Sequence, residues 1–310
     1  MNTLLTRTSS DVALLVSTPS LSIYPVYRRR FYVLFIFAFL SFNQCLFWLT
    51  FSPISQSTQT YYRINESTVN LLLNWGPIIF IPCLPLSYIL LNKKYGLRKT
   101  VLLLVITDFI AMLLRILPKI IVSPSNPYFT SISLLFIHIG QILNAACGPL
   151  VMAPVTQLSC LWFKPDERTR ATTLTIMAGS FGATMGFLIH PWLVTTPEHV
   201  SNLLYIHLFL AFIPLIFTLL YFPAYPPQAP SAAAQLLIDS SVNEGNIDSL
   251  RNYMKDIWRC FTTPSFTQLC SVGGILGGAF AAWTGLFANL LAAENFTEQQ
   301  AGKFERDELH

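Results

Sequence analysis

Several polar and aromatic side chains stand inside stretches of sequence that are otherwise apolar. In a membrane such side chains are costly, so they are the first candidates for function. The candidates for substrate binding are Trp48, Asn43, Gln44, Gln141, Asn144, Trp283 and Asn289. An aromatic face such as that of Trp48 attracts an organic cation by about 1–2 kcal/mol when it is shielded from water. These residue types therefore indicate solute binding, with packing against lipid as the alternative for Trp48.

Two pairs of these candidates follow from spacing and local composition. Gln141 and Asn144 are three residues apart, so they share one face of a helix. They either line a cavity together or hydrogen-bond to neighbouring helices. Trp283 and Asn289 belong to a segment that contains two glycine pairs, and a helix of that composition bends easily.

Asp108 and His138 are the candidates for proton coupling. Asp108 is the only carboxylate deep in an apolar stretch, and acidic groups at such positions can relay protons. The alternative is that Asp108 pairs with a neighbouring polar side chain. Arg115, nearer the end of the same stretch, is expected to snorkel towards water. The sequence has no nucleophile triad, phosphate loop or metal-site spacing, so it indicates neither an enzyme nor a metal or cofactor.

Seven apolar stretches must position these residues. They span roughly 31–51, 70–92, 100–118, 130–160, 171–194, 203–222 and 265–293. Each approaches or exceeds the ~20 residues that a helix needs to cross a bilayer core of ~30 Å. Apolar residues make up 53% of the chain and charged residues only 11%, against about 25% charged residues in soluble domains. The predicted fold class is an all-α membrane protein.

Lys and Arg residues concentrate in alternate gaps between the stretches. They cluster at 28–30, 93–99, 164–170 and 251–259, whereas the opposite gaps contain only Arg63 and Lys119. Basic loops stay in the cytosol, so we predict a cytosolic N-terminus and a seventh crossing that ends in a lumen or outside the cell. The net charge of +4 reflects this topology and does not indicate a nucleic acid partner. The expected partners are membrane lipids and a small-molecule solute.

Short sequence signals agree with this orientation. Asn65 and Asn295 each begin a glycosylation sequon, and both fall on the predicted non-cytosolic side. Near the N-terminus, Asp11, Leu14 and Leu15 resemble an acidic di-leucine sorting signal. A chance match in a flexible tail is the alternative for that signal. The six cysteines lie in helices or on the cytosolic side, so no structural disulfide is expected.

Changes in composition and hydropathy along the sequence divide the chain into five parts. We predict a flexible cytosolic tail (1–27), a six-helix transmembrane bundle (28–222), a cytosolic linker (223–263), a seventh transmembrane helix (264–293) and a lumenal tail (294–310). The linker opens with prolines and is expected to be too polar to bury. Residues 246–259 within it have the apolar spacing of an amphipathic helix on the membrane surface.

Two loops resemble signature sequences of the major facilitator superfamily. Residues 91–100 resemble its loop between the second and third helices, in which a glycine, here Gly96, permits a tight turn and basic residues follow. Lys93 stands where the family has an acid. Residues 162–171 resemble the family's Trp-Phe-x-x-x-Glu-Arg-x-x-Ala stretch. The resemblance implies a gating role on the cytosolic face for Gly96, Arg98, Asp166, Glu167 and Arg168.

Three further segments narrow the resemblance. Residues 74–83, 140–149 and 221–223 are similar to feline leukaemia virus subgroup C receptor-related transporters, of the solute carrier family 49 type, and the likeness covers roughly residues 28–302. The resemblance implies a secondary-active transporter that works by alternating access, in lysosomal or other endomembranes rather than the plasma membrane. Its solute would be a choline-like amine, a B-type vitamin such as pyridoxine, or haem. Trp48 matches a substrate-facing tryptophan of choline-carrying relatives, whereas Trp283 is a loose match.

The sequence departs from the superfamily's plan after the seventh stretch. Such transporters join two six-helix halves, so we expect a truncated chain with an N-terminal six-helix bundle and helix 7 of an incomplete C-terminal bundle. A seven-helix receptor is the alternative, although receptors of that kind have an external N-terminus and the arginines at 28–30 oppose it. A third reading is a non-transporting fragment that pairs with, or regulates, a full-length carrier.

Overall fold

The computed structural model of the protein describes residues 25–243 and 248–293, which form helices joined by turns and loops and include no strand. In chain order the α-helices are α1 (Arg29–Trp48), α2 (Ser55–Tyr62), α3 (Glu66–Leu91), α4 (Gly96–Ile121), α5 (Phe129–Met152), α6 (Pro154–Trp162), α7 (Arg168–Leu193), α8 (Val200–Leu220), α9 (Ala232–Asn243), α10 (Asp248–Thr262) and α11 (Pro264–Ala293). A 3₁₀ turn at Pro197–His199 precedes α8. The predicted all-α class is confirmed.

Six helical segments of the described part are long and apolar enough to cross a membrane. They are Arg29–Trp48, Glu66–Leu91, Gly96–Ile121, Phe129–Trp162, Arg168–Leu193 and Pro197–Leu220. Each coincides with one of the first six predicted stretches. The seventh stretch corresponds to α11, a helix of 30 residues. The protein is therefore an integral, multi-pass membrane protein.

The fourth spanning segment is divided into α5 and α6 at Ala153. Pro154 has no N–H to bond to the carbonyl of the preceding turn, and its ring crowds that carbonyl. Ala153 keeps helical dihedral angles of φ −64° and ψ −39°, so the chain stays helical through the break. The sequence predicted one apolar stretch here and not the division.

Close contact between helices shapes the bundle around the candidate site. A Cβ added at Gly182 of α7 would lie 2.9 Å from the carbonyl carbon of Phe42, and one added at Gly179 would lie 2.9 Å from Ser41 Oγ. Small residues allow two helix backbones to approach this closely. On the other side of α1, α4 packs against α5 and α8, and α3 packs against α5.

Apolar clusters fill the two ends of the bundle. One cluster includes Phe37, Leu104 and Leu161 near the predicted cytosolic end. The other includes Ile54 and Phe129 at the opposite end, where the short helix α2 covers the bundle. Most of the buried polar candidates lie between these ends, on the middle turns of the spanning helices.

The beginning of the predicted linker 223–263 lies against the bundle rather than in water. Ala224, Ala229 and Ala234 are buried there, and so is Ser231. The side chains at these positions are mostly small or apolar, and the Ser231 hydroxyl has a charged hydrogen-bond donor, so burial costs little. Further along, α10 occupies the region predicted to be an amphipathic helix.

Candidate functional site

A cavity opens between α1, the break between α5 and α6, and α7. Its volume is about 550 Å³, within the range of small-molecule sites. Its wall is mainly apolar, with hydroxyl groups from α7 that include Thr172, Thr175 and Thr184. α1 contributes Gln44 and Trp48. Of the predicted substrate-binding residues, these two therefore line the cavity.

The Trp48 indole is fixed by contacts with α3. Its Nε1 donates a hydrogen bond to the carbonyl oxygen of Leu73 at 3.1 Å. The ring lies against Gly76, where an added Cβ would be 2.8 Å from the indole Cε2. The absence of a side chain at Gly76 thus makes room for the ring, which is half-buried. The ring is therefore fixed by α3 at the place where it lines the cavity.

Gln44 lies one helical turn from Trp48 on the cavity wall. The Cys45 thiol, which also lines the cavity, is within hydrogen-bonding distance of Gln44 Oε1, at 3.5 Å. On the far side, the Gln44 Nε2 is near Gly148 of α5. A neutral amide beside an aromatic ring can bind a polar group of a solute without an ion pair.

Asn43, Gln141 and Asn144 point into the helix bundle and bond to neighbouring helices. Asn43 Nδ2 donates to the carbonyl oxygen of Leu210 in α8 at 2.9 Å. Gln141 Nε2 donates to the carbonyl oxygen of Trp48 at 3.0 Å. All three side chains are buried. They are absent from the lining of the cavity that Gln44 and Trp48 line. Gln141 instead bonds to the main chain of Trp48.

Asp108 is buried on α4 and has a partner. Asn144 Nδ2 donates to Asp108 Oδ1 at 3.0 Å. The sequence left open such a pairing with a neighbouring polar group, and the structure shows it. Asp108 does not line the cavity. Its partner Asn144 lies one turn from Gln141, and Gln141 bonds to the carbonyl oxygen of Trp48.

His138 is half-buried between α5 and α3. Trp75 Nε1 donates to His138 Nδ1 at 2.9 Å, so that nitrogen is the acceptor and a neutral ring carries its proton on Nε2. The two rings meet edge to face, with centroids 6.2 Å apart. His138 is thus separate from both Asp108 and the cavity wall.

Sequence reasoning missed a buried histidine cluster, which consists of Thr50, Arg115, His190 and His207. His207 Nε2 lies 3.1 Å from His190 Nε2, and His207 Nδ1 lies 3.4 Å from Thr50 Oγ1. The Thr50 hydroxyl donates to the carbonyl oxygen of Phe47 and accepts from Arg115 Nη1 at 3.1 Å. The His207 ring thus lies between the Thr50 hydroxyl and the His190 ring. The sequence did contain a signal for this cluster, because both histidines lie inside apolar stretches, where polar side chains are candidates for function.

Arg115 does not snorkel as the sequence suggested. Its side chain is 1% exposed, and Nη1 donates to the carbonyl oxygen of Phe47 at 3.0 Å as well as to Thr50. The α1 carbonyl and the hydroxyl offer the guanidinium acceptors inside the bundle. These acceptors satisfy Nη1 alone, because Nε and Nη2 have no hydrogen-bond partner among the described residues.

Gly96 and Arg98, two of the predicted gating residues, lie at the start of α4. Gly96 is its first residue and follows Tyr95, whose φ is +61°. A Cβ at Gly96 would lie 2.6 Å from the carbonyl oxygen of Leu90, so the tight turn requires glycine. Arg98 is exposed on the first turn of the helix.

The predicted gating residues around the start of α7 bond to other parts of the predicted cytosolic face. Glu167 forms an ion pair with Arg30 at the start of α1, with Arg30 Nη2 3.0 Å from Oε1. Arg168 Nη2 donates to Ser231 Oγ at 2.6 Å. Asp166 is exposed beside them. These contacts join α1, α7 and the segment after α8.

The remaining predicted sites are divided between described and undescribed residues. Asn65 is exposed and caps α3, where its Oδ1 accepts from the Thr68 N–H at 3.0 Å. Trp283 is 57% exposed on α11. The predictions that lie outside the described residues concern the side chain of Asn289 and the residues Asn295, Asp11, Leu14 and Leu15.

The fold, with its spanning helices and the two signature loops, defines a class of membrane transporter. The sequence model of the Major Facilitator Superfamily matches residues 29–302. The chain belongs to that superfamily, which indicates a transporter rather than an enzyme.

Within the superfamily, the relatives confirm the predicted resemblance to solute carrier family 49. Solute carrier family 49 member 4 homolog of Xenopus tropicalis is 31% identical over 294 residues, which cover 89% of this chain and 60% of the relative. Solute carrier family 49 member A3 of Danio rerio is 27% identical over 283 residues, covering 90% and 56%. Choline/ethanolamine transporter FLVCR2 of Homo sapiens is 23% identical over 279 residues, covering 87% and 50%. The chain thus spans 60% or less of the length of these relatives.

Proposed function

We propose that the chain supplies the solute-binding half of a secondary-active transporter, and that its solute is a small organic amine. The observation that carries the proposal is the cavity wall formed by Trp48 and Gln44. The indole is held in place from behind by Leu73 and Gly76, so its face is available without reorganisation. Choline-like amines, B-type vitamins such as pyridoxine, and haem remain the candidate solutes.

The chemistry of the wall favours an amine among these solutes. The described cavity lining contains no carboxylate and no basic side chain. A quaternary or primary amine would instead be bound by the aromatic face, which attracts cations by about 0.5–2 kcal/mol. Hydroxyl and amide groups beside the ring would donate hydrogen bonds to a hydroxyl of the same solute or accept hydrogen bonds from it. The human relative is a choline/ethanolamine transporter by name, which agrees with this class.

The test is a comparison of three variants in uptake of labelled choline, at matched membrane levels of the protein. Trp48→Ala is expected to lower uptake about 5- to 30-fold, which corresponds to the loss of roughly 1–2 kcal/mol. Trp48→Phe should retain most of the activity because it keeps a π face. The matched control is Trp192→Ala, since Trp192 is 75% exposed and outside the cavity wall. Equal uptake by Trp48→Ala and Trp48→Phe would assign Trp48 to packing.

Asp108 is proposed as the proton-coupling residue in preference to His138. Asp108 is connected through Asn144 to the helix that carries Gln141, and Gln141 bonds to the Trp48 carbonyl oxygen. Loss or gain of a proton at Asp108 would change the Asn144 bond and so the position of α5 relative to α1. His138 is bonded to Trp75 alone among these elements and has no such path to the cavity.

The Arg30–Glu167 ion pair and the Arg168–Ser231 hydrogen bond are proposed as cytosolic gating contacts that break and re-form during transport. Both involve residues of the loop that resembles the family's gating sequence. Their breakage would allow α1 and α7 to separate at that end, as alternating access requires. Disulfide crosslinking of Arg30→Cys to Glu167→Cys should block uptake reversibly; unchanged uptake in the crosslinked protein would refute the role.

A further inference from the structure

α10 is held close to the membrane surface at both ends. Its last residue is Thr262, and the long helix α11 starts at Pro264. Near its start, the Tyr253 ring packs on Tyr88 of α3 with centroids 4.7 Å apart. Tyr88 is one turn from Leu91, where α3 ends. The axis of α10 therefore lies beside the ends of two helices on the predicted cytosolic side.

The apolar residues of α10 form one exposed stripe. Met254, Trp258 and Phe261 follow each other at spacings of four and three, and their exposed fractions are 57%, 70% and 67%. Ile257 lies on the same side by helical spacing. A stripe of large apolar side chains left open at the membrane level fits the hydrocarbon edge of a bilayer.

A row of cations borders this stripe. Arg251, Lys255 and Arg259 are each four residues apart, so they follow one line along the helix. Asp256, next to Arg259 on the polar face of the helix, is 3.9 Å from it, which leaves Arg251 and Lys255 as the cations without a described acidic partner. Basic residues beside an interfacial apolar face attract anionic headgroups.

We propose that α10 lies in the cytosolic membrane–water interface and binds anionic phospholipid headgroups. Arg251 and Lys255 contact the phosphate or carboxylate groups of the lipids. Met254, Trp258 and Phe261 enter the boundary between headgroups and acyl chains, with the Trp258 ring at the level where tryptophan is enriched. The site is separate from the solute cavity, so its test does not depend on transport.

The test measures the depth of α10 in nanodiscs with a spin label at Met254→Cys, Phe261→Cys or Lys255→Cys, in protein without other cysteines. In discs that contain phosphatidylserine, labels at 254 and 261 should be relaxed by oxygen and protected from a water-soluble nickel chelate. The label at 255 should show the reverse. Labels at 254 and 261 that are closed to both reagents would mean that protein covers the stripe, and labels open to nickel would mean that it lies in water. Either result overturns the proposal.

Charge specificity is tested with the same label at position 254. Replacing phosphatidylserine by phosphatidylcholine should shift this label towards water, and Arg251→Gln with Lys255→Gln should abolish that dependence on the lipid. The control removes the same charge elsewhere, with Lys93→Gln and Lys94→Gln in the exposed turn before α4. Inorganic phosphate added to phosphatidylcholine discs should leave the depth unchanged, because the proposed ligand is the lipid. Persistence of the phosphatidylserine effect in the Arg251/Lys255 variant would refute anionic lipid binding.

Discussion

Asp108 on α4 and Trp48 on α1 are connected through two residues of α5, Asn144 and Gln141. Asn144 holds the carboxyl, and Gln141, one turn away on α5, holds the Trp48 carbonyl oxygen. Each of these bonds is worth about 0.6 kcal/mol, and at most about 1.7 kcal/mol, in measurements on membrane helices. Gain or loss of a proton at Asp108 can therefore change the free energy of the Trp48 position by an amount of this size.

The change that tests this connection is Asp108→Asn. Asparagine keeps the shape and can still bond to Asn144, but it carries no exchangeable charge. Uptake is expected to continue and to lose its stimulation by a pH gradient, measured as the ratio of rates with and without the gradient. The control is Glu198→Gln, an exposed carboxylate beside α8, which should keep the gradient effect. Full stimulation in Asp108→Asn would reduce Asp108 to a packing role.

Sequence reasoning named the residues of this connection but not their directions. The spacing of Gln141 and Asn144 shows that they share a face, yet spacing within one helix does not say which neighbour that face meets. The pair His190 and His207 was missed for a related reason, since its members are 17 residues apart on different helices. Contacts between helices depend on rotation and depth, which composition does not report.

At the scale of elements, the crossing of α1 and α7 positions the cavity. Gly179 and Gly182 let the two helices touch at one level, and the cavity that contains Gln44 and Trp48 lies along the same pair. The spanning helices could be predicted because their length and hydropathy are set by the bilayer. The break at Ala153 could not, since a proline in an apolar stretch is often kept within one helix.

Gly182→Ala should weaken this crossing. The added Cβ would meet the Phe42 main chain at 2.9 Å, and a backbone cannot rotate out of the way, so we expect destabilisation of about 1–3 kcal/mol. The measurement is the temperature of unfolding in detergent, followed by fluorescence of a thiol dye. Gly273→Ala on α11 is the matched control, because its Cβ would have no neighbour within 4 Å. Equal unfolding temperatures for the two variants would contradict the close contact.

At the scale of the whole molecule, the charge pattern and the bundle together predict one orientation. The Arg30–Glu167 pair, the Gly96 turn and α10 lie at the same end of the spanning helices, which the positive-inside rule assigns to the cytosol. Asn65 lies at the other end, where α3 begins. The orientation is a prediction that depends on the regular alternation of the basic gaps.

This orientation predicts a glycan on Asn65 and cytosolic access to Lys94. Enzymatic deglycosylation should increase the gel mobility of the protein, and Asn65→Gln should remove that shift. A Lys94→Cys variant should react with a membrane-impermeant thiol reagent only after the membrane is opened. Lys94 is exposed in the turn before α4, so burial would not explain a failure to react. An unglycosylated Asn65 together with labelling of Lys94→Cys from outside would reverse the topology.

The cavity beside Trp48 is proposed to bind the small organic solute that the transporter moves. The most direct measurement is uptake of labelled choline, pyridoxine and haem by membranes that contain the protein expressed from its complete transcript, over a range of concentrations. Saturable uptake of choline or a closely related amine is expected, with weaker uptake of the other two solutes. Uptake that does not exceed the level of membranes without the protein, for all three solutes and with the protein present in the membrane, would contradict the proposal.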